Sequence, residues 1–147
     1  MEEPREIGPE EAERLAISHE IKQMAQEHGL LDEDRAQTES LRTQIIAVSQ
    51  GPQTEELAQQ FRQLISAYNE LYQKIDTEKP EGRTSKFKLV ITLEMAALLL
   101  DAGKIEDALE EELYVARTMV DQEEPRDQEL FDRIDALYKR LKQLITE

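Results

Sequence analysis

Residues Phe87 to Leu100, FKLVITLEMAALLL, form the one near-continuous apolar run in the chain, broken only by Lys88, Thr92 and Glu94. Everywhere else apolar residues recur at helical spacing, as stripes on polar segments. A helix that is apolar around most of its circumference has to be enclosed, and amphipathic helices are what can enclose it. The run has 14 residues and two charges, against the roughly 20 apolar residues that a membrane span needs. It therefore predicts a central core helix over 87–102, and no membrane partner is expected.

Helix signals flank it on both sides. Pro9 with Glu10 and Glu11 suits a first turn, the stripe Ile17, Ile21, Met24 follows, and Gly29 fits the residue just past a helix end. Asp32 is a candidate N-cap for a second helix, which Gly51-Pro52 stops. Thr54 can cap a third, reaching about Asp76. In it Leu57, Phe61, Leu64, Tyr68, Leu71 and Ile75 are spaced 4-3-4-3-4, and Ile65 and Tyr72 widen the stripe. A stripe that wide predicts two neighbours rather than one. A fifth helix runs from Ile105 to about Val120. A sixth, about 128–145, repeats the seam with Leu130, Ile134, Leu137, Leu141 and Leu144.

The expected fold is thus all-α, an antiparallel bundle of about six helices with no strand. Residues 1–8 read as a flexible tail before a single helical domain, 9–147. The segment TEKPEGRTS, Thr77 to Ser85, reads as a mobile loop between two three-helix halves. The wide stripes on helices three and six leave apolar area that a second copy would cover, which predicts a homodimer.

Composition bounds the function. A formal net charge of −15 repels nucleic-acid phosphates and anionic membranes, so no direct nucleic-acid partner is expected. With no cysteine there is no thiolate ligand, thiol nucleophile or disulfide framework, and the acidic start MEEPREIG is the opposite of a signal peptide. A cytoplasmic protein is expected.

Chemistry motifs are missing. His19 and His28 are nine residues apart and face roughly opposite sides of a helix, and neither HExxH nor ExxH occurs. Asp121–Asp132 carries carboxylates at calcium-loop spacings, but Pro125 and Arg126 stand where a ligand and the turn glycine are needed. Phosphate-loop and GxSxG patterns are absent. The expectation is a non-enzymatic protein without metal or cofactor.

One resemblance stands out. In MAALLLDAGKIEDALEEELYVARTM, residues Ala96, Leu99, Gly103 and Ala108 fit the small, large, glycine and alanine positions of a helical hairpin. The stretch, about 89–122, resembles a tetratricopeptide repeat in a single copy. It departs from that pattern at Thr92 and Glu112, where aromatics are usual, and at Pro125, which falls about five residues late. The resemblance implies a groove for an extended peptide or a helix, with Lys88 and Arg117 as candidate contacts.

Two local features remain. Glu106, Asp107, Glu110, Glu111 and Glu112 place five carboxylates within seven residues. Of these, Glu106, Asp107, Glu110 and Glu111 are the candidate contacts for a basic partner. Lys88 and Glu94 are expected to reach solvent at the edges of the central helix; a buried Glu94 would instead be a specificity device or a pocket residue. The leading functional expectation is a protein-binding module, an adaptor, chaperone or assembly factor that uses a helical groove. The alternatives are an acidic regulator that engages a basic nucleic-acid-binding protein by charge mimicry, and a small-ligand bundle with a pocket near Glu94.

Overall fold

A computed structural model describes residues 9–30, 32–78, 87–123 and 125–146. Residues 1–8, read above as a tail, and 79–85 of the expected loop lie outside the described residues; Thr77 and Glu78 belong to the end of a helix. The described residues form six helices and no strand. They are α1 (Pro9–Glu27), α2 (Asp32–Ser49), α3 (Glu55–Glu78), α4 (Phe87–Asp101), α5 (105–121) and α6 (Gln128–Thr146). No helix among them is long and apolar enough to cross a membrane.

The apolar run is α4, and it is enclosed. Leu89, Val90, Ile91, Leu93 and every residue from Met95 to Leu100 are buried; Lys88 is exposed and Thr92 half-exposed. Its most extensive neighbour is α1, and α5, α3 and α2 cover the remaining sides. The alanines Ala96 and Ala97 let α1 come close. Ser18 donates to the Ala97 carbonyl at 3.3 Å and to Asp101 Oδ1 at 2.7 Å, and Lys22 pairs with Asp101 Oδ2 at 2.6 Å. One turn earlier, Arg14 donates to the Leu100 carbonyl, which also accepts from the Gly103 N–H just past the end of α4. Arg14, Ser18 and Lys22 are four apart, so one edge of α1 clasps the C-terminal end of α4.

Helices α2 and α3 form a hairpin. Thr54 caps α3 through its hydroxyl, which accepts from the Leu57 N–H at 3.2 Å. Helices α5 and α6 form a second hairpin, fixed by the Arg117–Asp135 ion pair at 3.0 Å. Asp127 caps α6 by accepting from the Leu130 N–H at 3.1 Å. On the outer side α6 reaches α1: Arg140 pairs with Glu13 and Glu20, and Arg133 with Glu27 at 2.7 Å. One cluster of buried apolar residues draws on all six helices.

Helix α5 is not regular. Between Ile105–Asp107 and Tyr114–Asp121, residues Ala108–Leu113 form a π-helical segment, and the Tyr114 N–H bonds the Leu109 carbonyl five residues back. Ala108, Leu109 and Leu113 of this segment and Ala116 just beyond it all face the core.

Two helix ends share one device. At α1, Leu30 N–H reaches the Ala25 carbonyl at 3.0 Å and Gly29 N–H that of Gln26. At α4, Lys104 N–H reaches Leu99 at 2.8 Å and Gly103 N–H reaches Leu100. Both are Schellman closures, and each needs positive φ at the glycine, +122° at Gly29 and +81° at Gly103. Gly103→Ala has room for its methyl, the nearest atom being 3.9 Å away, so its cost is conformational. It should lower stability by about 1–2 kcal/mol, read as a fall in thermal midpoint of about 2–8 °C; an unchanged midpoint would contradict the closure.

Candidate functional site

Two polar features interrupt the apolar packing, one sealed and one open.

The sealed one centres on Glu94. The expectation that this carboxylate reaches solvent is corrected: it is 1% exposed, at the junction of α2, α3 and α4. It can lie there because Arg35 of α2 pairs with it, and because the Tyr72 hydroxyl donates to Glu94 Oε2 at 3.4 Å. Arg35 is held in turn by the Lys22 carbonyl at 3.3 Å. Thr38, one turn on, donates to the Arg35 carbonyl at 2.9 Å and meets the Tyr72 hydroxyl at 3.2 Å. Tyr68 stacks edge-on against Tyr72, with ring centroids 5.0 Å apart. Burial and the neighbouring Tyr72 and Glu94 push the Tyr68 phenol far above its ordinary range; burial and the Glu94 charge raise Tyr72 as well. Both phenols therefore stay neutral. The Tyr68 hydroxyl and the Nε atoms of Arg35 and Arg42 are buried without a hydrogen-bond partner among the described residues. Burying the carboxylate side of such a pair costs desolvation that the attraction only partly offsets, while removing the arginine leaves Glu94 in the core without its partner.

The open feature is a groove of about 410 Å³ between α3, α4, the start of α5 and the turn joining α2 to α3. Its apolar lining is Val48, Leu57, Phe61, Ile65, Met95 and Leu99; its charged lining is Arg62, Lys104, Asp107, Glu111 and Glu112. A second opening of about 330 Å³ continues it along α3 past Ser66, Asn69, Ile91 and Thr92, and shares Arg62, Ile65, Met95 and Glu112. The groove follows from the α3 stripe. Tyr68, Tyr72 and Ile75 in the second half of α3 are buried, whereas Leu57, Phe61, Leu64 and Ile65 in the first half are only half-buried. Lys104 lies over the Phe61 ring, 5.4 Å from its centroid.

Glu112 is the unusual group here. It lies in the π segment and is partly buried against α3 and α4. Burial, with help from the adjacent Glu111 charge, pushes its carboxyl up to about 7. Among the described residues no cation pairs with it.

Of the six residues singled out from sequence, Asp107 and Glu111 line the groove. Glu106 and Glu110 are exposed and are not part of its lining. Lys88 is exposed on the first turn of α4. Arg117 is engaged inside the α5–α6 hairpin, by Asp135 and by the Tyr138 ring at 4.7 Å. Sequence reasoning passed over Arg62, Lys104 and Arg35, which carry no local signal. Glu112 is visible in the sequence as one of the five carboxylates of 106–112 and as a departure from an aromatic position, neither of which marks it as partly buried.

Two outcomes test these arrangements. Arg35→Met should destabilise the fold by about 3–5 kcal/mol, because Glu94 is left charged in the core, and the double variant Arg35→Met/Glu94→Leu should recover most of the loss. Equal losses in single and double variants, measured by urea unfolding, would contradict the pairing. The second concerns pH. The folded state holds the Glu112 proton up to about 7, while an unfolded chain releases it near 4.5. The carboxyl thus favours folding fully below the lower value and loses that contribution as pH rises through the upper one. Glu112→Gln should become progressively more stable relative to the parent between these pH values, and a constant difference across them would contradict the burial.

No family model, curated protein or solved structure matches the chain.

Proposed function

We propose that the protein is a non-enzymatic interaction module that binds a protein partner in the groove between α3, α4 and α5. The observation that carries this reading is the uncovered first half of the α3 stripe. Leu57, Phe61 and Ile65 line an open trough although the same helix is sealed one turn later at Tyr68 and Tyr72. Half-exposed apolar side chains in a concavity, rimmed by charge, are what a helical or extended segment is able to cover. The tetratricopeptide-like reading of the α4–α5 hairpin points the same way, since that resemblance implies a groove. A second copy of this chain is the less favoured occupant, because two molecules of net charge −15 repel at an acidic rim.

The small-ligand alternative calls for a pocket near Glu94. That carboxylate is engaged by Arg35 and Tyr72 and is not among the groove lining, which favours the protein-binding reading. The charge-mimicry alternative shares the acidic wall and differs in the partner's identity.

Leu57→Asp puts a charge in the groove at a half-buried site on the edge of the core. Affinity capture from native lysate by the parent should recover a stoichiometric protein, which Leu57→Asp loses while keeping its helical circular dichroism. A partner captured equally by both, or none captured by either, overturns the groove reading.

A further inference from the structure

Resting on that reading, we propose that the groove's occupant is an amphipathic segment that seats a lysine or arginine on the Glu112 carboxylate, so that capture of the partner is coupled to release of a proton. The argument begins with geometry. Glu112 stands where the part of the groove over Phe61 and Leu99 meets its extension beside Asn69 and Thr92. Among the described residues it is the one carboxyl that lines both parts. It lies in the π segment, next to Leu113 and one turn after Leu109, both of which are buried in the core. A partly buried carboxylate with no cation of its own is an incomplete ion pair, and the missing half belongs to the incoming molecule.

The groups around Glu112 decide the sign of that half. On its own helix stand Asp107 and Glu111, both acidic. From α3 come Arg62, with Ser66 and Asn69; from α4 comes Thr92, which is uncharged; the α4–α5 turn brings Lys104, which rests on the Phe61 ring. The α5 wall is therefore uniformly negative, and the cations sit at the opposite side and at the turn. A docked segment is oriented by this: its basic edge lies along α5 and its apolar edge covers Phe61, Ile65 and Met95.

Proton coupling follows from the same burial. Without partner, Glu112 keeps its proton up to about pH 7. A cation brought against it favours the ionised form, so binding expels the proton and affinity rises with pH through that value.

The test uses the full chain and a randomised 16-residue amphipathic peptide library, displayed on phage and selected at pH 8 in physiological salt. The expected result is enriched peptides that share an apolar face and one lysine or arginine at a fixed register. Their affinity should fall about tenfold or more between pH 8 and pH 5.5, as a carboxyl titrating near 7 passes from mostly ionised to mostly protonated. Glu112→Gln should bind them weakly at both pH values with the pH dependence gone, whereas Glu106→Gln should behave as the parent. Enriched peptides that lack the basic residue, or that bind Glu112→Gln with the parent's pH profile, overturn this inference and leave the groove reading intact. Failure to enrich any peptide that Leu57→Asp loses overturns both, as does light scattering that gives a dimer mass for the parent and a monomer mass for Leu57→Asp.

Discussion

A helix without a polar face has to be covered all the way round, and in this chain that requirement falls on α4. Covering it decides where the other helices go. Helix α1 takes the side where Ala96 and Ala97 permit the closest approach, and its Arg14, Ser18 and Lys22 tie down the end of α4. The hairpins α2–α3 and α5–α6 close the rest. The two halves of the sequence are therefore not two cores: α4, which opens the second half, is most extensively in contact with α1, which opens the first. The buried carboxyl group that α4 itself carries, Glu94, does not weaken this arrangement so much as index it. Only one placement of α2 brings Arg35 to that carboxylate, and any slip of the helix by a turn would leave a charge in the core without its partner.

Enclosing α4 uses up the second half of α3 and leaves the first half over. An amphipathic stripe six helical positions long is wider and longer than the neighbour it meets, so Leu57, Phe61 and Ile65 remain at the edge of a trough. The π segment lies across that trough on α5. A six-residue stretch of wide helix has poorer backbone geometry than α-helix and is uncommon. Within it Leu109 and Leu113 face the core while Glu112 lines the trough.

Much of the fold could be read from residue spacing. The all-α class, the six helices, the glycine closures at Gly29 and Gly103 and the Thr54 cap all follow from local rules about periodicity and backbone conformation, which act over a few residues. What spacing could not convey is which helices meet. The pairing of α1 with α4 depends on contacts between residues about 80 positions apart, and the burial of Glu94 depends on Arg35, 59 positions away. A lone carboxylate in an apolar run looks the same whether its partner is water or a distant arginine. The groove is half legible: the stripe on α3 is visibly too wide for one neighbour, but spacing along one helix does not say which part of the stripe stays uncovered. The acidic run on α5 was visible too, yet its residues divide between the groove wall, at Asp107 and Glu111, and open surface, at Glu106 and Glu110.

The clasp of α1 on α4 also has a consequence for the order of events on the ribosome. Helix α1 is synthesised early, and its face of Ile17, Ile21 and Met24 has its main partner some 80 residues downstream. At about 5–20 residues per second, that partner arrives roughly 4–16 s later. During that interval the nascent chain carries a helix with an open apolar face and a second, α3, with another. The α2–α3 hairpin can close on its own local contacts, but α1 has to wait. The N-terminal half is thus the part of this protein that spends longest in the cell without its core, and the part for which a passing holdase or a neighbouring nascent chain would be the first competitor.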